Sequence, residues 1–305
     1  MLFLLIVAVS FAAPFYAHHL ADTDPFSSNL NGHISVHGKR EAVIQQGGGI
    51  LKLGETPIGP TWTFKYALGA DQQGRDVAAR VLYGGRSSLE IGIGSAIIAS
   101  AFALLVGLVA GFFGGIVDAV LSRIMDVIWA FPVYLLAICI ATVLLTSGLN
   151  VGPVTVSASS LWLPTLIIGL IYIPYIARPI RGEVLAVREK EFIEAAVAMG
   201  ASNWRLIFRE VLPNVLSVVI VLLPLMIATT ILTEAALSYL SVGVQAPAAS
   251  WGTIIQDGQD LLYTRPWVAI APGIMIVLTV LALNVLGDGL RDALDPRAKL
   301  RVGGE

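Results

Sequence analysis

The stretch EAAVAMGASNWRLIFREVLPN, residues 194–214, decides how the rest of this sequence is interpreted. It is a polar interruption between long apolar runs, and it carries Arg205, Arg209 and Glu210. Gly200 lies near its centre, where a residue without a side chain can take the positive φ that ends a helix. Pro213 suits the first turn of a following helix, since its missing N–H is not needed there. The pattern predicts two short helices that meet at Gly200 and present a surface that a partner could bind.

The composition places this stretch in a membrane protein. Hydrophobic residues make up 56% of the chain and charged residues only 13%, and the mean hydropathy is +0.80. A soluble domain has about 25% charged residues, so a polytopic membrane protein is indicated. Cys139 is the single cysteine, which excludes an intrachain disulfide. The sequence G-x-x-x-x-G-K-[ST] does not occur, so any energy from ATP has to come from another subunit.

Six apolar segments approach the length of about 20 residues that a membrane helix needs. The first begins directly at Met1 without a basic flank, which favours a membrane helix whose true start lies upstream or whose flank is short. A removed signal peptide is the alternative. The predicted spans are 2–17, 91–117, 127–147, 161–177, 211–233 and 268–287.

Basic residues in the short loops predict the orientation. The loop at 188–214 and the C-terminal end are rich in arginine, whereas the short loops on the opposite side carry only Arg265. By the positive-inside rule, loop 188–214, the C-terminus and, if all six spans are real, the N-terminus are cytoplasmic. The predicted divisions are a first helix at 1–17, an extracytoplasmic segment at 18–87, a five-helix core at 88–292 that holds loop 188–214, and a tail at 293–305.

The segment 18–87 is polar, rich in glycine and mixed in charge, so we expect it to have little core of its own. Its four histidines, His18, His19, His33 and His37, are loosely spaced and have no cysteine beside them. Solvated loop histidines are therefore favoured over a metal site, and we predict no metal.

Glycines at four-residue spacing mark one predicted span. Gly107, Gly111 and Gly115 would line one face of a helix and permit a neighbouring helix to approach closely. We therefore expect all three to lie in one helix–helix contact.

A carboxylate interrupts another apolar run. An ionised side chain at mid-membrane costs about 2.5–3.5 kcal/mol on insertion scales, so Glu234 should face protein or water. Helical spacing places Thr230, Glu234, Ser238 and Ser241 on one stripe. Two interpretations stay open: an interhelical hydrogen bond, or a polar lining of a translocation path with Glu234, Thr230 and Ser238 as its candidates.

The stretch at 194–214 resembles the EAA loop of bacterial ABC-importer permeases, which is cytoplasmic and docks into a cleft on the ATPase subunit. One position departs from the family, because Glu210 stands where the general pattern has isoleucine and the peptide branch often has histidine. The residues to which we assign ATPase coupling, by this resemblance and including the nearby Arg205, are Glu194, Ala195, Ala196, Gly200, Arg205, Leu212 and Pro213.

Residues 69–89, GADQQGRDVAARVLYGGRSSL, resemble the G-T-D-x-x-G-R-D motif region of the dipeptide/oligopeptide/nickel branch, with Ala70 in place of threonine. Residues 242–258 and 287–297 resemble two further motifs of that branch. Physically, the arginines and aspartates can form an ion-paired amphipathic helix on the outer interface. A structural lid without substrate contact is the alternative. The motif residues we single out are Asp71, Gly74, Arg75, Asp76 and Arg80.

Together these resemblances imply an all-α polytopic protein with six transmembrane helices and the ABC type I importer permease fold, with a long extracytoplasmic segment after helix 1. They imply the second-type permease subunit of a bacterial inner-membrane peptide importer, without catalysis or a bound cofactor of its own. ATP and magnesium would be bound by two partner ATPases. The other implied partners are a homologous permease, an extracytoplasmic solute-binding protein and the lipid bilayer, and no nucleic acid.

Other functions remain open at this stage. The cargo of such a permease could be a di- or oligopeptide, or instead nickel, haem or another small solute. A stand-alone secondary transporter would show an inverted repeat or several ionisable residues at mid-span, and only Glu234 is so placed. A membrane anchor or assembly factor is a third hypothesis.

Overall fold

The computed structural model of the protein describes residues 1–36, 38–46, 54–147, 149–151, 154–157 and 159–294. His37, the glycines at 47–49, the end of the 287–297 motif and most of the predicted tail lie outside the described residues. The described helices are α1 (Leu2–Phe11), α2 (Ala13–Phe15), α3 (Val77–Phe113), α4 (Gly115–Trp129), α5 (Val133–Ser147), α6 (Trp162–Ile171), α7 (Ile173–Arg188), α8 (Glu191–Ala198), α9 (Asn203–Arg205), α10 (Leu212–Tyr239), α11 (Trp251–Gly258) and α12 (Trp267–Leu294). The strands are β1 (His33–Val36), β2 (Lys39–Ala42), β3 (Ile44–Gln46), β4 (Glu55–Pro57), β5 (Leu149–Val151) and β6 (Val154–Val156). Two π-helical turns, Tyr16–Ala21 and Leu206–Val211, and a 3₁₀ turn, Gln259–Leu261, complete the elements.

Helices of membrane-spanning length and hydropathy agree in number with the six predicted spans. Within the described residues three single helices are long and apolar enough to cross a membrane, at Val77–Phe113, Asn203–Tyr239 and Trp267–Leu294. Three more arise when helix pairs bent by 47°, 84° and 41° are each taken as one span. A proline lies at each bend, Pro14 and Pro174 in the first turn of the second helix and Pro132 just before α5. Proline lacks the N–H that would continue a helix, which explains the bends.

The described chain divides into two compact units. Unit 1 comprises Met1–Ile91, Ala141–Pro164 and Ile231–Leu281. Unit 2 comprises Gly92–Ile140, Thr165–Thr230 and Ala282–Glu305.

Unit 1 corrects the expectation that residues 18–87 have little core. Two antiparallel hairpins, β1–β2 and β3–β4, form there, and β5 and β6 form a third pair elsewhere in the unit. Buried side chains of this segment form a small hydrophobic core, namely Ile34, Val43, Ile58, Tyr66 and Ala70. The strands are only three or four residues long, too short for alternation to distinguish them from loop in the sequence.

A second correction concerns the motif at 69–89. It forms no separate interfacial helix, because α3 begins at Val77 and continues unbroken for 37 residues. The first part of the motif is a buried turn, in which Gly74 has φ +73°. A Cβ at Gly74 would lie 2.4 Å from the carbonyl oxygen of Asn29, so only glycine fits.

Unit 2 contains the predicted glycine contact, with one exception. A Cβ on Gly107 would lie 2.5 Å from Cγ2 of Ile180, and one on Gly111 would lie 2.8 Å from Cβ of Val184. These glycines let α3 and α7 approach closely. Gly115 does not belong to this face, because α3 ends at Phe113 and Gly115 has φ +54° at the start of α4.

Candidate functional site

The predicted turn at Gly200 is present in unit 2. Helix α8 ends there with the backbone N–H of Gly200 donating to the carbonyl of Val197 at 2.9 Å. The N–H of Ala201 donates to the carbonyl of Ala196 at 3.0 Å, which completes a Schellman motif. Gly200 has φ +79°, as predicted. Ser202 then caps the next helix by accepting from the N–H of Arg205.

One face of this helical hairpin is apolar and exposed. Met199 and Trp204 are exposed by 80% and 69%, and the rings of Trp204 and Phe208 stack with centroids 5.7 Å apart. Ile193, Leu206 and Ile207 anchor the opposite side by burial in the unit. The exposed apolar side chains, which we name the coupling-loop face, are Phe192, Val197, Met199, Trp204 and Phe208.

A cavity of about 580 Å³ opens beside this face. Arg188 lies in the wall of the cavity. Its Nη1 donates to the carbonyl of Phe112 at 2.7 Å, which gives a hydrogen-bond partner to one of the last carbonyls of α3. Glu194 and Asn203 also line the cavity, together with apolar side chains of α3 and α8. The concave surface therefore combines an apolar floor with charges of both signs, which suits a protein segment better than a small apolar ligand.

The predicted coupling residues differ in exposure. Glu194, Ala195, Gly200, Arg205 and Pro213 are exposed, as contact with a partner requires. Ala196 is buried and Leu212 is half-buried, so both support the hairpin from within.

The helix that contains Pro213 begins earlier than predicted. Asn203–Tyr239 is continuous, and the π-helical turn Leu206–Val211 precedes Pro213. The widened turn accommodates a proline ring that an α-helix would place against the carbonyl of residue 209.

Unit 1 brings Arg75 and Arg80 of the 69–89 motif into one largely buried cluster with Asp71 and Asp257. Arg75 donates through Nε to Asp71 at 2.7 Å and through Nη2 to Asp257 at 2.8 Å. Arg80, only 2% exposed, donates to Asp257 at 3.0 Å and to the carbonyl of Pro25 at 3.1 Å. Burial raises the pKa of Asp257, and the two arginines oppose that rise.

Asp76 has a separate role as the N-cap of α3. Its Oδ1 accepts the N–H groups of Ala78 and Ala79, and its Oδ2 accepts that of Tyr66 at 2.8 Å. Burial raises the pKa of Asp76, and these hydrogen bonds counteract the rise. Asp76 therefore joins the small β-core to the first long helix.

Asp257 is the member of the cluster that sequence reasoning missed. It lies on α11, 177 residues after Arg80. The only available signal was an aspartate within the 242–258 stretch, and no spacing rule links that position to Arg75 or Arg80.

Glu234 is fully buried in unit 1 and hydrogen-bonded between helices. Its Oε2 accepts from Ser88 on α3 at 2.7 Å, and its Oε1 accepts from Ser238 at 2.6 Å. Ser88 in turn accepts the N–H of Trp251 at 3.1 Å, at the start of α11. The interhelical hydrogen bond is therefore present, and the side chain is fully buried in this unit.

Thr230, Glu234 and Ser238 follow at four-residue spacing on α10, as predicted, and all three are buried. Thr230, which belongs to unit 2, donates to the carbonyl of Gly92 at 2.7 Å. Ser241 lies beyond the end of α10, with φ +64°, so the stripe ends at Ser238. In the described parts of the chain, no group of three or more His, Cys, Asp or Glu side chains could hold a metal ion.

Known proteins resemble this chain in both sequence and fold. The dipeptide transport system permease protein DppC of Alkalihalophilus pseudofirmus is 42% identical over 232 residues, covering 76% of this chain and 72% of that protein. The glutathione transport system permease protein GsiD of Pectobacterium atrosepticum is 38% identical over 248 residues, covering 81% and 76%. The inward-facing MetNI methionine ABC transporter has a similar fold, with a TM-score of 0.56 over 70% of this chain and 96% of the transporter chain, at 20% identity.

The family described as the binding-protein-dependent transport system inner membrane component matches residues 103–300, which include the coupling-loop face and most of the predicted spans. With relatives above 30% identity over more than two thirds of the chain, this protein belongs to that family of ABC-importer permeases.

Proposed function

We propose that this permease passes peptides across the inner membrane, driven by ATP that partner subunits hydrolyse. Two observations support a peptide cargo: the relatives are named for dipeptide and glutathione transport, and a further relative, from Brucella abortus, is named as a putative peptide transport permease. The chain would work with a homologous permease, two P-loop ATPases and an extracytoplasmic solute-binding protein.

The coupling-loop face is the observation that carries the ATPase partnership. Large apolar side chains that are exposed together are characteristic of interaction sites. The side chains of the coupling-loop face surround a helix turn that is held by hydrogen bonds at Gly200. In the proposed assembly the ATPase surface covers Trp204, Phe208 and Met199, and Glu194 adds a charge beside the cavity. The hairpin then moves with the ATPase pair as it closes on ATP.

The proposed orientation has this loop on the cytoplasmic side, where ATP is available. The chain itself would bind neither ATP nor magnesium and would make or break no bond. Its contribution is mechanical: it transmits the movement of the ATPases to the membrane helices.

Two substitutions test the coupling. Gly200→Pro imposes φ near −65° on a residue at +79° and removes the N–H that Val197 accepts. Glu194→Lys reverses an exposed charge beside the cavity. Both variants should insert and assemble, but lose uptake and substrate-stimulated ATP hydrolysis in reconstituted vesicles. Normal activity of both variants would contradict the coupling role.

A matched control is Glu55→Lys, which reverses an exposed charge in unit 1. It should leave transport and ATP hydrolysis unchanged. If it impairs both as strongly as Glu194→Lys does, the loss reflects net charge rather than the loop.

A competition assay tests the cargo. Vesicles with the complete transporter and its solute-binding protein should accumulate a labelled dipeptide, and excess unlabelled peptide should suppress that uptake. Preferential uptake of a nickel chelate or of haem would replace the peptide assignment while leaving the permease function intact.

A further inference from the structure

The loop at residues 61–67 of unit 1 exposes two aromatic rings on a strained backbone. Trp62 is 70% exposed and Phe64 is 62% exposed. Trp62 has φ +55° and Tyr66 has φ +56°, a conformation that costs on the order of 1–3 kcal/mol for such residues. Exposure of large apolar rings to water is unfavourable, so water does not explain why a strained backbone presents them.

Hydrogen bonds hold this loop in one shape. The hydroxyl of Thr61 donates to the carbonyl of Lys65 at 2.7 Å, and the N–H of Thr61 donates to the carbonyl of Tyr66 at 3.2 Å. The N–H of Trp62 donates to the carbonyl of Ala67 at 3.4 Å. The two rings are therefore presented by a defined turn.

Contacts with two candidate membrane segments position the loop. The hydroxyl of Tyr16, in the last part of the first bent pair, donates to the carbonyl of Phe64 at 2.7 Å. The ring of Trp62 meets that of Trp267, the first residue of α12, edge to face with centroids 6.0 Å apart. Nε of Arg265 donates to the carbonyl of Pro57 at 2.5 Å. The loop thus lies where one membrane segment ends and another begins.

We propose that Trp62 and Phe64 insert into the lipid headgroup region beside the start of α12, so that loop 61–67 anchors the small β-core of unit 1 to the bilayer surface. Tryptophan and other amphipathic aromatics favour this interface. Leu262 and Tyr263, exposed just before Trp267, extend the same apolar surface. The inference is independent of the cargo proposed above.

The rival occupant is a protein, either the solute-binding protein or the second permease. Lipid is favoured because both contacts of the loop are with membrane segments: the ring of Trp62 meets that of Trp267, and the carbonyl of Phe64 accepts from Tyr16. A soluble partner would instead approach from the aqueous side of the β-core.

The test uses the full transporter in lipid nanodiscs, with Cys139→Ala as background. Phe64→Cys carries an environment-sensitive fluorophore, and the lipids carry a nitroxide quencher at the headgroup or at the top of the acyl chain. We expect blue-shifted emission and strong quenching at position 64. Ser35→Cys, exposed on β1 of the same segment, is the matched control and should be neither shifted nor quenched.

Three outcomes overturn the proposal. The first is water-like, unquenched emission at position 64. The second is equal quenching at positions 64 and 35, which would mean that the whole β-core rests on the membrane. The third is protection at position 64 only after the solute-binding protein is added, which would identify a protein contact.

A second variant isolates Trp62. Trp62→Gly keeps the positive φ at low cost while it removes the ring, so the folded protein should persist with an unchanged unfolding temperature. Quenching at position 64 should then fall. Unchanged quenching would overturn the anchoring role of Trp62.

Discussion

The Oε2 atom of Glu234 lies 2.7 Å from the hydroxyl of Ser88, although 146 residues separate the two in sequence. Through Ser88 the same carboxylate reaches the first N–H of α11. At the other end of α11, Asp257 binds Arg75 and Arg80. Polar contacts inside unit 1 therefore hold this short helix at both ends.

Removal of the charge at Glu234 should be tolerated better than removal of its polarity. Glu234→Gln keeps the size and the hydrogen bonding, so we expect folded protein and near-normal uptake. Glu234→Leu leaves the buried hydroxyl groups of Ser88 and Ser238 without that partner, at a cost of about 1–3 kcal/mol each, and should lower the yield of folded protein. Thermal unfolding and vesicle uptake measure the two effects. Selective slowing of free-amine substrates by Glu234→Gln would instead favour the path-lining interpretation.

Breaking the buried ion-pair cluster should destabilise the protein strongly. Arg80→Met leaves Arg75 as the one buried arginine that pairs with both Asp71 and Asp257, which we expect to lower the free energy of unfolding by about 3 kcal/mol. Arg86→Met is the control on the same helix, because its ion pair with Glu90 is exposed and should contribute under about 1 kcal/mol. Denaturant unfolding of the two purified variants and the wild type measures these free energies. Equal effects of the two variants would argue against a structural role of the cluster.

The contact between α3 and α7 should be sensitive to added methyl groups. Gly107→Ala places a Cβ against Ile180, and the overpacking should cost about 1–3 kcal/mol. Gly182→Ala on α7 has free space around it and should be neutral or stabilising by up to about 1 kcal/mol. Unfolding temperatures in one detergent test the difference. A Gly107→Ala protein as stable as wild type would show that the helices do not need this close approach.

The orientation can be tested by thiol labelling in the Cys139→Ala background. Single cysteines at Ser28 and Ser157 should react with an impermeant reagent from outside, and Asn203→Cys should be protected in intact cells. On the second outer loop Ser250 is buried and unsuitable for labelling, so we use Asp260→Cys, which is exposed on the same loop and should also react from outside. Reaction of position 203 from outside would contradict the six-span topology.

Much of the fold follows from local properties of the sequence. Apolar length locates the spans, because lipid leaves backbone groups no partner outside a helix. Gly200 indicates a helix end because left-handed backbone suits a residue without Cβ. The motifs at 69–89 and 194–214 indicate the family, since each is a local pattern.

Contacts between distant residues were decided only in the tertiary structure. No spacing in the sequence joins Asp257 to Arg80 or Ser88 to Glu234, because packing of separate helices sets those distances. The strands of segment 18–87 were missed because pairs of three or four residues depend on the shared core around Tyr66 rather than on their own pattern. The sequence by itself determined which segments are long and apolar enough to cross the membrane, and it predicted loop 194–214 as a surface for a partner. Only the tertiary structure decided which buried charges neutralise each other and which aromatic rings remain exposed, because both depend on what packs beside them.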